Sequence, residues 1–505
     1  MLRRMKLRSR GADLLARALA AAGTRHVFAL SGNHVMPVFD AAIDANLSII
    51  HVRHEAAAVH MADAWGRLTG EPGIALVTGG PGHANAVSAL YTALAAESPM
   101  ILLSGHAPLE ELGKGAFQEM RQAEMAAPVT KASWTVRSAE RLGEELARAW
   151  REAVSGTPGP VHLSIPSDVL EATAAPGSNA FSVAEEAVRD DTVLAALAAA
   201  RHPLILTGPM LMTPRTRERV RELEDLTGIP VIGMESPRGT SDPSLGRLAQ
   251  VLKHADVVLL LGKRLDFTLN FGEAFAPGCK VLKAPAHLAG WTGRSWRKSG
   301  WRDEVRAALV YRPPEWKAIE SAPGAPLHPV YLCREVQKLL AAPGAVLVSD
   351  GGEFGQWAQA CLEAPARIIN GPAGAIGSAL PFAAAAKLAY PNAPVVAMLG
   401  DGTFGFHMSE IDTAVRYGLA YVAVIGNDAT WNAEYQIQLR AYGRERAKGC
   451  ELLPTRYGAV AGAMGAHGED VNAPAELGPA LARACESGGP ACVNVMIERL
   501  AAPKY

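Results

Sequence analysis

Residues 395–432 read VVAMLGDGTFGFHMSEIDTAVRYGLAYVAVIGNDATWN, and this stretch decides the fold. The apolar run VVAML leads into Gly400 and Asp401, and YVAVIG leads into Asn427 and Asp428, so both acids emerge at the ends of buried strands. Between them SEIDTAVRYG reads as a helix, with Ile411, Ala414 and Val415 at helical spacing and Gly418 as the stop. Strand, helix, strand puts the two acids at one edge of a parallel sheet, where open α/β sheets take their ligands. Magnesium prefers a few oxygen ligands plus phosphate oxygens, which such an edge can supply. The competing reading is two unrelated loop acids after two core strands.

With GDG at 400–402 and NDAT at 427–430, the sequence resembles the thiamine diphosphate enzymes, in which a GDG motif and a later Asn pair bind magnesium and the cofactor diphosphate. The separation, 428 − 401 = 27 residues, fits that family. The resemblance implies Asp401, Asp428 and the backbone carbonyl of Thr430 as metal ligands, with Gly400, Gly402, Thr403 and Asp428 at the cofactor. Asp428 departs from the pattern, because the family carries a second Asn there. An Asp still ligates magnesium, but its charge beside a diphosphate calls for compensating cations or weakens binding.

Other segments carry the resemblance along the chain. In HVRHEAAAVHMADAWGRLTG, Glu55 stands where the family has the glutamate that activates the cofactor. A carboxylate is needed there to share a proton with the aminopyrimidine ring, and it should be buried; a helix-capping or surface acid is the plainer alternative. NGPAGAIGSALPFAAAAKLAYP resembles the pyrimidine-gripping segment, with Gly374 offering backbone contacts and Ile376 as an apolar wedge, a role compatible with ordinary core packing. SDGGEFGQW resembles the loop that cradles the diphosphate, through Gly352, Glu353 and Phe354, although glycine-rich turns after strands are common without any ligand.

Substrate candidates are more dispersed. GAFQEM (Phe117, Gln118) and PVTK (Lys131) match positions lining the active site of acetolactate synthase-like members, while Lys131 reads equally as a solvated lysine. Asn33 and His34 replace the Gly and Ala of acetolactate synthases and suit a carboxylate or a proton shuttle, or Asn33 caps the next helix. His83 is a further candidate, with a plain helix-start position as its alternative. Glu434 stands where acetolactate synthases have an apolar residue; it serves the pocket or pairs with Arg440 or Arg444 outside it.

At 505 residues, 49% hydrophobic and 20% charged, the chain can bury several cores. The expected fold class is α/β with three domains: two similar doubly wound parallel-sheet domains that bind the cofactor, at 1–175 and 327–505, flanking a middle α/β domain at 186–320. A net charge of −1 gives no electrostatic reason for nucleic acid or membrane partners. Six cysteines without a CxxC pair point to a reducing cytoplasm. The opening MLRRMKLRSR is basic and leads into the amphipathic GADLLARALAAAG, not into an apolar signal core. WTGRSWRKSGWR interleaves tryptophans with basic residues and reads as a packed surface loop or, less simply, a nucleotide contact. GPMLMTPRTRERV has no dinucleotide glycine pattern, which leaves FAD open without support.

The resemblance implies a homodimer or homotetramer in which Glu55 and Asp401 of one chain serve different active sites. It implies a carboligase or decarboxylase acting on a small 2-oxo acid. The alternatives are a 2-hydroxyacyl-CoA lyase or oxalyl-CoA decarboxylase-like lyase, suggested by LLLGKRLDFTLNFG with Arg264 and Phe271, and an idle regulatory subunit. Retention of the proton-transfer glutamate speaks against the last.

Overall fold

A computed structural model describes residues 9–175, 181 and 187–505. The first eight residues of the basic opening and most of the stretch EATAAPGSNAFSVAE lie outside the described residues. The chain forms two compact units, Met1–Glu185 and Glu186–Tyr505.

In the first unit, helix α1 (Gly11–Ala21) buries Leu14, Leu15 and Leu19, the apolar stripe that its sequence spacing anticipates. Six strands follow: β1 (His26–Ala29), β2 (Ser48–His51), β3 (Gly73–Val77), β4 (Met100–His106), β5 (Ala132–Thr135) and β6 (Pro160–Pro166). They form one all-parallel sheet in the order β2-β1-β3-β4-β6-β5. Every residue of β3, β4 and β6 is buried, as expected of strands covered on both faces. Helices α2 (Glu55–Thr69) and α3 (Pro81–Ala95) leave the C-terminal ends of β2 and β3.

The second unit holds two larger parallel sheets and a two-stranded parallel pair, Val188–Arg189 with Leu288–Ala289. The four-stranded one comprises β7 (Pro203–Thr207), β8 (Val231–Gly233), β9 (Val257–Leu261) and β10 (Lys280–Ala284), ordered β8-β7-β9-β10. The basic aromatic loop beside it is tied internally. Trp291 Nε1 donates to the Leu288 carbonyl, Trp296 Nε1 to the Trp291 carbonyl, and Arg294 pairs with Asp191. Arg302 and Arg306 both pair with the buried Glu224.

The six-stranded sheet of this unit comprises β11 (Val346–Ser349), β12 (Ala366–Ile369), β13 (Val395–Gly400), β14 (Val422–Asn427), β15 (His467–Val471) and β16 (Ala491–Met496). Its order, β12-β11-β13-β14-β16-β15, repeats that of the first sheet strand for strand, and all its strands are parallel. Helices α4 (Gly352–Cys361) and α5 (Ala379–Ala389) follow β11 and β12. Two short helices occupy the span between β13 and β14, α6 (Asp401–His407) and α7 (Glu410–Arg416). The sequence points to α7 alone. The GDG glycines do not exclude a helix, because Gly400 precedes its first turn in an extended conformation and Asp401 opens it. Gly418 adopts φ +62 just beyond α7 and ends it as expected. Helix α8 (Asn432–Tyr442) follows β14.

Candidate functional site

In the second unit, a cavity of ≈ 320 Å³ opens at the C-terminal ends of β11, β13 and β14. Gly352, Glu353, Phe354, Gly374, Ile376, Gly400, Asp401, Gly402, Thr403, Asp428, Thr430 and Glu434 all line it, so residues from four separate stretches of sequence meet in one place. Asp401 is 2% exposed, and its Oδ2 has no hydrogen-bond partner among the described residues. Burial pushes its carboxyl up to about 6. Asp428 is pushed up to about 7, by burial first and then by the charge of Asp401. Two carboxylates that resist ionising together, one with an unanswered oxygen, can hold a hard cation. Among the described residues no cluster of three or more His, Cys, Asp or Glu could hold a metal. A cation here would therefore draw further ligands from backbone carbonyl, phosphate and water, which suits magnesium.

The backbone is shaped for close approach. Gly352 takes φ +78 with open space where a side chain would stand, and helix α4 starts there without a side-chain cap, leaving its first amides free for an anion. A Cβ on Gly402 would lie 2.6 Å from the Trp431 ring, so this glycine lets the α6 start and the α8 start meet. Ala429 sits at φ +53, between Asp428 and Thr430. Asn427 holds that turn: its Oδ1 accepts the Ala429 amide at 3.1 Å, and its Nδ2 donates to the Thr455 carbonyl and to Asn494. No ion pair joins Glu434 to Arg440 or Arg444 among the described residues.

Asp350 has no role in the sequence reading. Fully buried, it accepts the amides of Gly351 (2.8 Å), Gly377 (3.0 Å) and Ala379 (3.0 Å), fixing the loop that carries Gly374 and Ile376. Burial lifts its carboxyl to about 6, against those amides. It ends the run AVLVS as Asp401 ends VVAMLG, so the signal that picks out Asp401 also points to Asp350.

In the first unit the candidates gather at the C-terminal edge of its sheet. Glu55 opens α2, is 8% exposed and accepts a hydrogen bond from Asn85 Nδ2 at 3.1 Å. A Cβ on Gly82 would stand 3.3 Å from Glu55 Oε1 and 2.8 Å from Thr78, whose Oγ1 lies 3.1 Å from His34 Nδ1. The His34 ring stacks on Phe117 at 6.2 Å, and burial lowers its pKa. Gln118, at φ +57, lies against Gly80. Gln122, also absent from the sequence reading, accepts the Gly80 amide and donates to the Gly105 carbonyl and Ser164.

Three candidates sit differently from their sequence expectation. Asn33 is exposed and caps no helix; the cap positions of the following turn and helix are Gly32 and Val35, neither with a side-chain bond. His83 is wholly buried: its Nδ1 meets Ser104 Oγ at 2.9 Å, which also meets His162, and burial lowers His83 to about 4. Lys131 precedes β5, at the sheet edge opposite Glu55, and its Nζ donates to the Ser155 carbonyl at 2.6 Å. The geometry therefore does not bring Lys131 to the other candidates.

A parallel sheet with one buried and one half-buried carboxylate and free helix-start amides at one edge can serve a phosphate-bearing cofactor and its cation. Comparison with known proteins supports the phosphate-bearing cofactor. Residues 9–125 match the thiamine pyrophosphate enzyme N-terminal TPP binding domain, and residues 350–495 match the C-terminal TPP binding domain. The acetolactate synthase large subunit IlvG of Mycobacterium tuberculosis is 34% identical over 96% of this chain and 95% of its own. The 2-hydroxyacyl-CoA lyase 2 of Homo sapiens is 29% identical over 97% of this chain and 90% of its own. The catabolic acetolactate synthase of Raoultella terrigena is 30% identical over 97% and 95%. The chain belongs to the thiamine pyrophosphate enzyme family. It is a thiamine pyrophosphate-dependent enzyme of the acetolactate synthase and 2-hydroxyacyl-CoA lyase type. No described helix is long and apolar enough to cross a membrane.

Proposed function

We propose that this chain is a magnesium-dependent carboligase or decarboxylase acting on a small 2-oxo acid, working in the cytoplasm as a homodimer or homotetramer. The observation that carries the metal is the pairing of buried Asp401 and half-buried Asp428 on one cavity wall. When bound, thiamine diphosphate supplies a nucleophilic carbon and then an electron sink next to the substrate carbonyl. Asp401, Asp428 and the carbonyl of Thr430 would hold the cation, and the amides from Gly352 to Phe354 the diphosphate. Gly374 and Ile376 would take the pyrimidine end. Glu55 has the proton-sharing role: its carboxylate, out of water and steered by Asn85, holds or releases a proton at Oε. His34, kept neutral by burial, can accept a proton from a substrate, and Gln118 and Glu434 can orient it.

The lyase reading keeps two supports, the LLLGKRLDFTLNFG segment and relatives such as the human one that are named as 2-hydroxyacyl-CoA lyases. Product analysis separates the two. Purified protein with cofactor and magnesium is given pyruvate in one arm and a 2-hydroxyacyl-CoA in the other. Carbon dioxide release with a new carbon–carbon product from pyruvate supports the first reading, and formyl-CoA from the thioester alone overturns it. Asp401→Ala should lose magnesium-dependent cofactor binding; normal binding would refute the metal assignment.

A further inference from the structure

Where the family has a neutral Asn, Asp428 brings one more negative charge to the cavity, and the structure places one cation against its turn. Arg499, just past β16, donates from Nη2 to the Asp428 carbonyl at 3.3 Å. Its guanidinium is held by both oxygens of Glu451, at 2.9 and 3.0 Å, and lies 5.1 Å from the Tyr435 ring centre. Glu451 belongs to a segment laced to the same turn: the Trp431 amide donates to Cys450 at 2.7 Å and the Leu452 amide to Ala429 at 2.8 Å. The next residue in the C-terminal stretch, Leu500, accepts from Asn432 at the start of α8.

We infer that Arg499 is a positioning residue of the cofactor site, balancing the added charge of Asp428 and, through Glu451, pinning the turn at 428–430. The inference rests on the reading of Asp401, Asp428 and Thr430 as cation ligands. A planar guanidinium suits it, since two of its nitrogens engage Glu451 while one also reaches the turn carbonyl. Its effect is on cofactor affinity and not on the chemical step.

The test is calorimetric titration of thiamine diphosphate into the full-length protein with magnesium, for the parent, Arg499→Gln, Asp428→Asn, the double variant and Asp401→Ala. Arg499→Gln should weaken binding about tenfold, the size of one charge interaction at a partly buried site. In the Asp428→Asn background the same change should cost less than about threefold. Parent-like binding by Arg499→Gln, or an equal loss in both backgrounds, overturns the inference. Magnesium-dependent binding retained in Asp401→Ala would instead sink the cation reading beneath it. If Arg499→Gln melts below the assay temperature, Arg499→Lys, which keeps the charge, takes its place. It should bind within about threefold of the parent, and a tenfold loss overturns the charge role.

Discussion

In metal-free protein, Asp428→Asn should stabilise the second unit, because it removes a half-buried carboxylate that opposes the buried Asp401. The folded value of Asp428 is about 7 against an ordinary 3.8. At 1.36 kcal/mol per unit, that displacement sets an upper bound of ~4 kcal/mol at neutral pH. Relaxation and solvent around a partly accessible group reduce the gain to about 2 kcal/mol. An acid whose folded pKa is raised binds more protons in the folded state between pH 4 and 7, so its charge destabilises the fold progressively as pH rises through that window. The advantage of the variant should therefore be largest above pH 7 and shrink as pH falls through that window, vanishing below about pH 4 as the unfolded chain's carboxyl is protonated too. Differential scanning of chelator-treated proteins at pH 4.5 and 7.5 measures this, with a shift of about 2–6 °C at the higher pH. A parent and variant that melt together at pH 7.5, or differ equally at both, would refute the electrostatic reasoning. Magnesium should then narrow the gap, because it satisfies the parent's pair.

Three further outcomes follow from other contacts. Glu55→Gln should retain magnesium-dependent cofactor binding by calorimetry while turnover falls at least about 100-fold, as loss of a positioned proton carrier requires; near-normal turnover would remove Glu55 from the chemistry. Asp350→Ala leaves three buried amides without an acceptor, and should cost about 2–4 kcal/mol in urea unfolding as well as cofactor affinity; a neutral result would show that Asp350 does not set the loop. Mixing Glu55→Gln with Asp401→Ala subunits should restore activity that neither has alone if different subunits supply the two residues, and continued inactivity of a verified mixed oligomer would count against shared sites.

Sequence reading recovers the central strands because apolar runs such as VVAML and YVAVI leave little choice for chains buried on both faces. The strands it passes over, ASWT, KVLKA, ARII and HGEDV, all lie at sheet edges. Edge strands are short and polar, so the apolar signal is weak there. Much of the cavity lining is legible for a related reason: Gly352, Gly374, Gly400, Asp401 and Asp428 stand just past a strand or in a glycine-bearing turn, whereas Pro237 and Arg238, which also line it, carry no such signal. Gln122 and Arg499 are not legible, because their partners lie far off in sequence and only folding brings them near. Lys131 shows the converse, a residue that matches by pattern yet stands at the wrong end of its strand.

Ala429 holds a left-handed backbone at φ +53 where an alanine pays about 1 kcal/mol or more for it. Asn427 and the pairing with residues 450–452 hold it there. The chain's own hydrogen bonds thus fix the turn that offers Asp428 and Thr430, and a turn fixed in this way leaves little chain for binding energy to order. Affinity at this edge should accordingly respond more to charge than to flexibility, and a glycine at 429 would trade that readiness for a looser grip.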